Sequence, residues 1–213
     1  MPEPGHELRA VNREHARLDS LELYSRLSVL TGRSIDDPEQ ISDTIETIRD
    51  SLVATTSQES TVYGWIAQAL FEGLVASLGS VKLLKTEDGG GMYASGGEMK
   101  APDFRIVTES GDRLLVEVKS AFQRTHDADY TIRTKDLDAL RAYAQAMGGH
   151  RLMFAVYWVT WNLWTLTDAA VFTAGAGAHS ALPMPRAFMR NELVALGDYM
   201  IGTERPLALK LYT

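Results

Sequence analysis

Residues 99–122 read MKAPDFRIVTESGDRLLVEVKSAF. The segment divides into two short strands joined by a turn at Ser110-Gly111-Asp112. The first strand opens with Pro102-Asp103 and the second ends in Glu117-Val118-Lys119. Successive side chains on a strand point to opposite faces, so Glu117 and Lys119 share a face, their Cα atoms roughly 7 Å apart at about 3.3 Å per residue. Val116 and Val118 take the other face, where an apolar layer is expected. The turn carries the start of the first strand back beside the end of the second, which puts Asp103 near the Glu117/Lys119 pair. Two carboxylates and an ammonium then meet at one end of a sheet.

Two oxygen-ligand carboxylates suit Mg²⁺, which keeps several waters and is bound by one or two carboxylates plus substrate phosphate. A lysine beside such an ion can orient or deprotonate the attacking water and stabilise charge on the phosphate. The set Pro102, Asp103, Glu117 and Lys119, with its turn length and the apolar run Leu114-Leu115-Val116, resembles the PD-(D/E)xK, or restriction-endonuclease-like, nuclease superfamily. That resemblance implies Asp103 and Glu117 as metal ligands and Lys119 as the water-activating or charge-stabilising residue. Val118 belongs to the ligand set it implies, and so does an acidic residue from the first core helix, whose place Glu72 occupies in EGLVASLG. The plain alternative for Glu72 is a solvent-facing helix glutamate. For the motif itself it is an exposed hairpin with a Glu117–Lys119 surface pair, worth roughly a few tenths of a kcal/mol.

At 213 residues the chain fits one domain with a small appended element. An apolar content of 45% is ordinary for a globular protein. No apolar run approaches the ~20 residues that span a bilayer. The N-terminus is polar and carries acids, unlike a signal or transit peptide, so a cytoplasmic location is expected. Without cysteine there is neither a disulfide framework nor a thiolate zinc site. The net charge of −7 runs against nucleic-acid binding, but its distribution softens the objection. Residues 100–151 hold nine basic and eight acidic residues, a balance of +1, while the rest holds twelve against twenty, or −8. Bound Mg²⁺ would invert the local field of an acidic site.

The remaining chain is organised around this hairpin. Residues 1–57 read as an N-terminal helical extension and residues 58–213 as the nuclease-like domain. Residues 1–33 are expected to be partly helical, and Asp37-Pro38 starts a second helix with Asp as N-cap and Pro in the first position. Its stripe Ile41, Ile45, Ile48 and Leu52 has helical spacing. Ser60 opens a third helix that ends at Gly79, with Ile66, Leu70, Leu74 and Leu78 expected to face the core. Val81–Leu84 is a candidate strand. The glycine-rich segment 86–100 reads as a mobile loop near Asp103, with no phosphate-binding glycine motif.

Beyond Lys119, the stretch SAFQRTHDADYTIRT reads as a solvated loop. There Ser120, Gln123, Arg124, His126 and Arg133 could meet phosphates, and Lys135 and Arg141 just beyond could do the same. Thr134 is expected to cap a helix whose buried side carries Leu137, Leu140, Tyr143 and Met147, with Gly148-Gly149 stopping it. The RecB-like branch of the superfamily has a Gln four residues before a Tyr on this helix. Here Ala139 precedes Tyr143, so that feature is absent. Leu152–Val159 is a strand, parallel to the Glu117 strand by the crossover rule. Trp158, Trp161 and Trp164 are core or offer stacking faces for bases. Thr173–Ser180 reads as a small-residue loop, Pro185–Tyr199 as a helix and Pro206–Tyr212 as a last strand.

The order helix, three strands, helix, strand predicts an α/β fold: a restriction-endonuclease-like sandwich with a central mixed β-sheet flanked by helices. The function expected is a Mg²⁺-dependent DNA endonuclease, with Mn²⁺ able to substitute, that hydrolyses phosphodiester bonds with water activated at Asp103/Glu117/Lys119. Cutting both strands would favour a homodimer. The alternative is a catalytically silent nuclease-like fold that serves as a protein- or nucleic-acid-binding assembly module, with the acidic N-terminal helices as its contact surface. Acyl-transfer hydrolysis is disfavoured because no Gly-x-Ser-x-Gly elbow occurs.

Overall fold

The computed structural model describes residues 38–88, 92, 94 and 97–198, together with Tyr24, Ser25, Ser28 and Gly32. Most of the helix expected within residues 1–33, and the strand expected at Pro206–Tyr212, lie outside the described residues. The chain divides into two compact units at residues 66/67, inside one helix. Before the division stand helix α1, Pro38–Thr56, and the first turns of α2, Glu59–Leu78. Pro38 opens α1 as its preset φ favours; Asp37 is outside the described residues. The stripe on α1 keeps its helical spacing, but Ile41, Ile45 and Leu52 are exposed.

After the division, five strands form one sheet in the order β1-β2-β3-β5-β6. They are β1 Val81–Thr86, β2 Phe104–Thr108, β3 Arg113–Ala121, β5 Arg151–Trp158 and β6 Leu163–Asp168. β3 and β5 run parallel while the other neighbours are antiparallel, so the sheet is mixed. The parallel step is bridged by helix α3, Thr134–Ala146, as a parallel pair requires. Alternation along the central strands divides the core into two layers. Leu114, Val116, Val118, Met153 and Ala155 pack against Ala67, Phe71 and Val75 of α2. Leu115, Phe154 and Val156 pack against Leu137, Leu140 and Ala144 of α3. Each buried Val, Leu, Phe or Met among them stabilises the fold by about 1.5–3 kcal/mol relative to exposure, the alanines by less. This is the expected fold class, a mixed sheet flanked by helices.

Several local expectations need correction. The core face of α2 is Ala67, Phe71 and Val75, and not the neighbouring stripe: Ile66 and Leu70 are 48% and 47% exposed. Both stripes recur every four residues, so periodicity could not choose between them. The Phe71 ring decides it, lying 5.6 Å from Trp164 and 5.9 Å from Phe104 between ring centroids. The helix starts at Glu59, one residue before Ser60, and it closes at Gly79 with φ +79°, as a C-terminal glycine does. Thr134 is not a cap but the first residue of α3, and its hydroxyl meets Ser180 Oγ at 3.1 Å.

The stretch after Lys119 is less irregular than expected. β3 continues to Ala121, and β4, Asp129–Arg133, pairs with β8, His179–Pro183, in a three-stranded sheet completed by β7, Thr173–Ala174. The expected small-residue loop therefore contributes two of these strands. The helix expected from Pro185 to Tyr199 is only α4, Met184–Met189, followed by a 3₁₀ turn at Leu193–Leu196. Asn191 interrupts it because its side-chain Oδ1 accepts from the backbone N–H groups of Leu166 and Leu193 at 2.8 and 3.2 Å. Trp158 is fully buried, and its ring N–H donates to Thr165 Oγ1 at 2.9 Å. Trp164 stacks on Tyr157 with centroids 4.9 Å apart. Those two rings are engaged in packing.

Candidate active site

The hairpin is pinned from its turn. Gly111, at φ +92°, takes a conformation that suits glycine, and its N–H donates to the Thr108 carbonyl at 3.0 Å. Thr108 N–H donates to the Asp112 carbonyl at 3.0 Å, while Ser110 Oγ donates to Asp112 Oδ2 at 2.7 Å. The resulting register pairs Phe104 with Val116. One step further along the antiparallel ladder, Asp103 stands opposite Glu117. Pro102 has no N–H to donate to the ladder, and beyond Phe104 the Val118 N–H donates to the Asp103 side chain, whose Oδ2 accepts it at 2.6 Å.

Both carboxylates are buried, Glu117 completely. Glu117 Oε1 accepts from Lys119 Nζ and from Lys100 Nζ, each at 2.6 Å. Its second oxygen, Oε2, is buried and has no protein partner. Asp103 Oδ1 accepts from the Gln68 side-chain amide at 2.6 Å, across from α2. The hairpin thus brings Asp103, Glu117 and Lys119 together, and the Val118 N–H is bonded to Asp103.

The electrostatics record crowding of like charge. Burial first, and then the neighbouring Glu117 charge, push the Asp103 carboxyl up to about 6. Asp88, where β1 runs out, is raised for the same two reasons in the same order, so it stands within the field of Glu117. Burial works against the Lys119 charge, but the Glu117 and Asp103 carboxylates outweigh it and hold the ammonium above its ordinary value. The Tyr130 hydroxyl on β4 is raised by burial and then by Glu117, Asp136 and Asp103, so it remains a protonated phenol near the site.

A second polar cluster braces the same end of the sheet. Glu87 Oε1 pairs closely with Arg105 and accepts the Tyr143 hydroxyl of α3 at 2.6 Å. Glu87 N–H donates to the Asp103 carbonyl at 2.8 Å. Glu87, expected in a mobile loop, is therefore tied to β2 and α3.

Glu72 is a different case. It is exposed, one turn beyond Gln68 on α2, and it makes none of the hydrogen bonds around Asp103 and Glu117. The helix presents Gln68 to the site, because Gln68 adjoins the buried stripe of Ala67 and Phe71. Among the expected phosphate contacts, His126 and Arg124 are exposed beyond β3. Arg133, Lys135 and Arg141 pair with Asp136, Glu98 and Asp138 at 2.8, 3.1 and 3.3 Å.

Gln68, Lys100, Asp88, Tyr130 and the Glu87–Arg105–Tyr143 cluster were missed in the sequence. Gln68 carried a signal, since it sits four residues before Glu72 and so on the same side of the helix. Lys100 also had one, two residues before Pro102. Tyr130 had none, because its approach depends on a small sheet built from distant segments.

The donors available to a cation are all hard oxygens. Glu117 Oε2 lacks a partner, and the Val118 carbonyl shares its N–H's side of β3, the side on which β2 has ended. Among the described residues no three His or acidic side chains close into a metal cage. A cation here would complete its shell with water and a phosphate oxygen, as Mg²⁺ and Mn²⁺ do. It would also relieve the repulsion that raises Asp103. The residues fit such an ion.

No family model matches the chain, and no curated protein matches it. Among solved structures, it is similar to Hjc of Archaeoglobus fulgidus, a Holliday junction resolvase from an archaeal hyperthermophile. The match has 10% identity and a TM-score of 0.47, covering 65% of this chain and 99% of the other. Among the described residues, no helix is long and apolar enough to cross a membrane.

Proposed function

We propose that the protein is a divalent-metal-dependent nuclease, with Mg²⁺ as the ion, Mn²⁺ as a substitute and DNA as the substrate. One observation carries the reading: Asp103 and Glu117 face each other at the end of the hairpin, both buried, with Lys119 held 2.6 Å from Glu117. Asp103, Glu117 and the Val118 carbonyl would hold the ion. Bound there, it supplies Lewis acidity at the phosphate and makes a water more acidic.

The chain's own residues do the positioning. Gln68 and the Val118 N–H fix the Asp103 carboxylate through one bond to each oxygen, leaving each oxygen a further lone pair for an ion. Lys119 stays protonated, which suits it to orient the incoming water and to stabilise charge on the phosphate more than to remove a proton. The water oxygen bonds to phosphorus and releases a proton to solvent, a sugar–phosphate P–O bond breaks, and the departing oxygen takes up a proton from solvent. Cutting a duplex on both strands would call for two copies of the site, and a homodimer is part of the proposal. Light scattering on the full chain tests it.

The deciding experiment is a cleavage panel on single-stranded, duplex and branched DNA and on RNA, with Mg²⁺, Mn²⁺, Ca²⁺ or EDTA, beside an Asp103→Ala control. Cutting with Mg²⁺ or Mn²⁺ that is lost with EDTA and in the control supports the reading. Inertness of every substrate overturns it and favours the assembly module.

A further inference from the structure

Glu117 holds two ammonium groups on one oxygen, and the two lysines differ in a way that divides their work. Lys119 comes from the same strand and has 29% of its side chain exposed. Lys100 reaches in from the glycine-rich segment with 47% exposed, and its backbone N–H is fixed to the Ala139 carbonyl of α3 at 3.1 Å. Its main chain is therefore anchored while its flexible four-carbon stem leads to solvent. Meanwhile Glu117 Oε2, nine-tenths or more buried, has no partner. Lys100 is thus the less enclosed of the two ammonium groups on Glu117.

The charges point the same way. Asp88, Asp103 and Glu117 stand against Lys100 and Lys119, one negative charge in excess. Arrival of a divalent cation would turn that into an excess of one positive charge. The ammonium that can leave is the one on the flexible, exposed stem.

Resting on the nuclease reading, we propose that Lys100 is an exchangeable counter-ion: it occupies Glu117 before the divalent cation arrives, competes with it, and then turns outward to bind a backbone phosphate of the substrate. Lys119 remains at the centre. Lys100 is thus a substrate-positioning residue on the solvent side of the same pocket, and its two duties respond to substitution in opposite directions.

The test measures both without turnover. Lys100→Ala should bind Mn²⁺ several-fold more tightly than wild type by titration calorimetry, because a competing cation has been removed. With Ca²⁺ in place of Mg²⁺, the same variant should bind duplex DNA several-fold more weakly, with the slope of log K against log salt smaller by about one. Lys100→Arg keeps the charge and should restore most of the DNA affinity. A merely structural salt bridge would move neither quantity in this pattern. Unchanged Mn²⁺ affinity in Lys100→Ala, or an unchanged salt slope, overturns the proposal while leaving the nuclease reading intact if wild type cuts DNA. If wild type neither binds nor cuts any nucleic acid, the nuclease reading falls and the phosphate role of Lys100 falls with it.

Discussion

At the scale of single residues, the candidate site places ionised groups where each depends on its neighbours. Lys119 is the sharpest case. Lys119→Ala should lower kcat by roughly 10²- to 10³-fold, the cost of one charge-stabilising donor, while calorimetry still finds Mn²⁺ bound. Loss of less than tenfold would remove Lys119 from the chemistry. Asp103 supplies a prediction in pH. Its folded-state carboxyl is raised to about 6, above its value in an unfolded chain. The stability it contributes is therefore fully present at low pH and is lost as pH rises through about 6. In EDTA, Asp103→Asn removes that cost, and a flipped Gln68 amide can still pair with it. The variant should be more stable than wild type by on the order of 1–2 kcal/mol at pH 8, and the gap should narrow as pH falls below about 6 and close only near 4. Denaturant unfolding across that range measures it; a gap that widens at low pH contradicts the assignment. These residues were legible in the sequence because strand alternation and one tight turn relate Asp103, Glu117 and Lys119 locally. Lys100 and Gln68 had only a positional hint, because each reaches the site through a long side chain whose direction no spacing rule states.

At the scale of elements, the hairpin and α2 divide the task. The turn at Gly111 sets the register that opposes Asp103 to Glu117, and α2 supplies the amide that steadies Asp103. The face of α2 is the point on which the sequence was ambiguous. Two stripes with the same four-residue repeat lie side by side, and burial of Phe71 against Phe104 and Trp164 selects one of them. With that stripe buried, Gln68 reaches Asp103, while Glu72, one turn further along the same side of the helix, is exposed. Glu72→Gln should accordingly leave the cleavage rate within about twofold of wild type, whereas Gln68→Ala should lower it about tenfold, in keeping with loss of one partner around a ligand. Rates measured side by side under saturating Mg²⁺ decide the matter, and the reverse order would place Glu72 on the ion.

At the scale of the whole molecule, a cation that binds the folded chain and not the unfolded one must stabilise it. At about 100 times its dissociation constant the gain is ~2.7 kcal/mol. Mn²⁺ should therefore raise Tm in wild type and fail to do so in an Asp103→Ala/Glu117→Ala double variant; equal shifts in both would locate the ion elsewhere. The negative total charge is compatible with DNA because it is concentrated outside residues 100–151. By itself the sequence determined the hairpin, the meeting of Asp103, Glu117 and Lys119 at its end, the α3 crossover and the parallel pairing of β3 with β5. These follow from periodicity, turn chemistry and chain reach, all of which act over short separations. Only the tertiary structure decided which stripe of α2 is buried, that β4, β7 and β8 form a second sheet beside the site, and that Gln68, Lys100 and Tyr130 join it. The reason is that such choices depend on side-chain volume and on hydrogen bonds between segments far apart in the chain, which a local pattern does not encode.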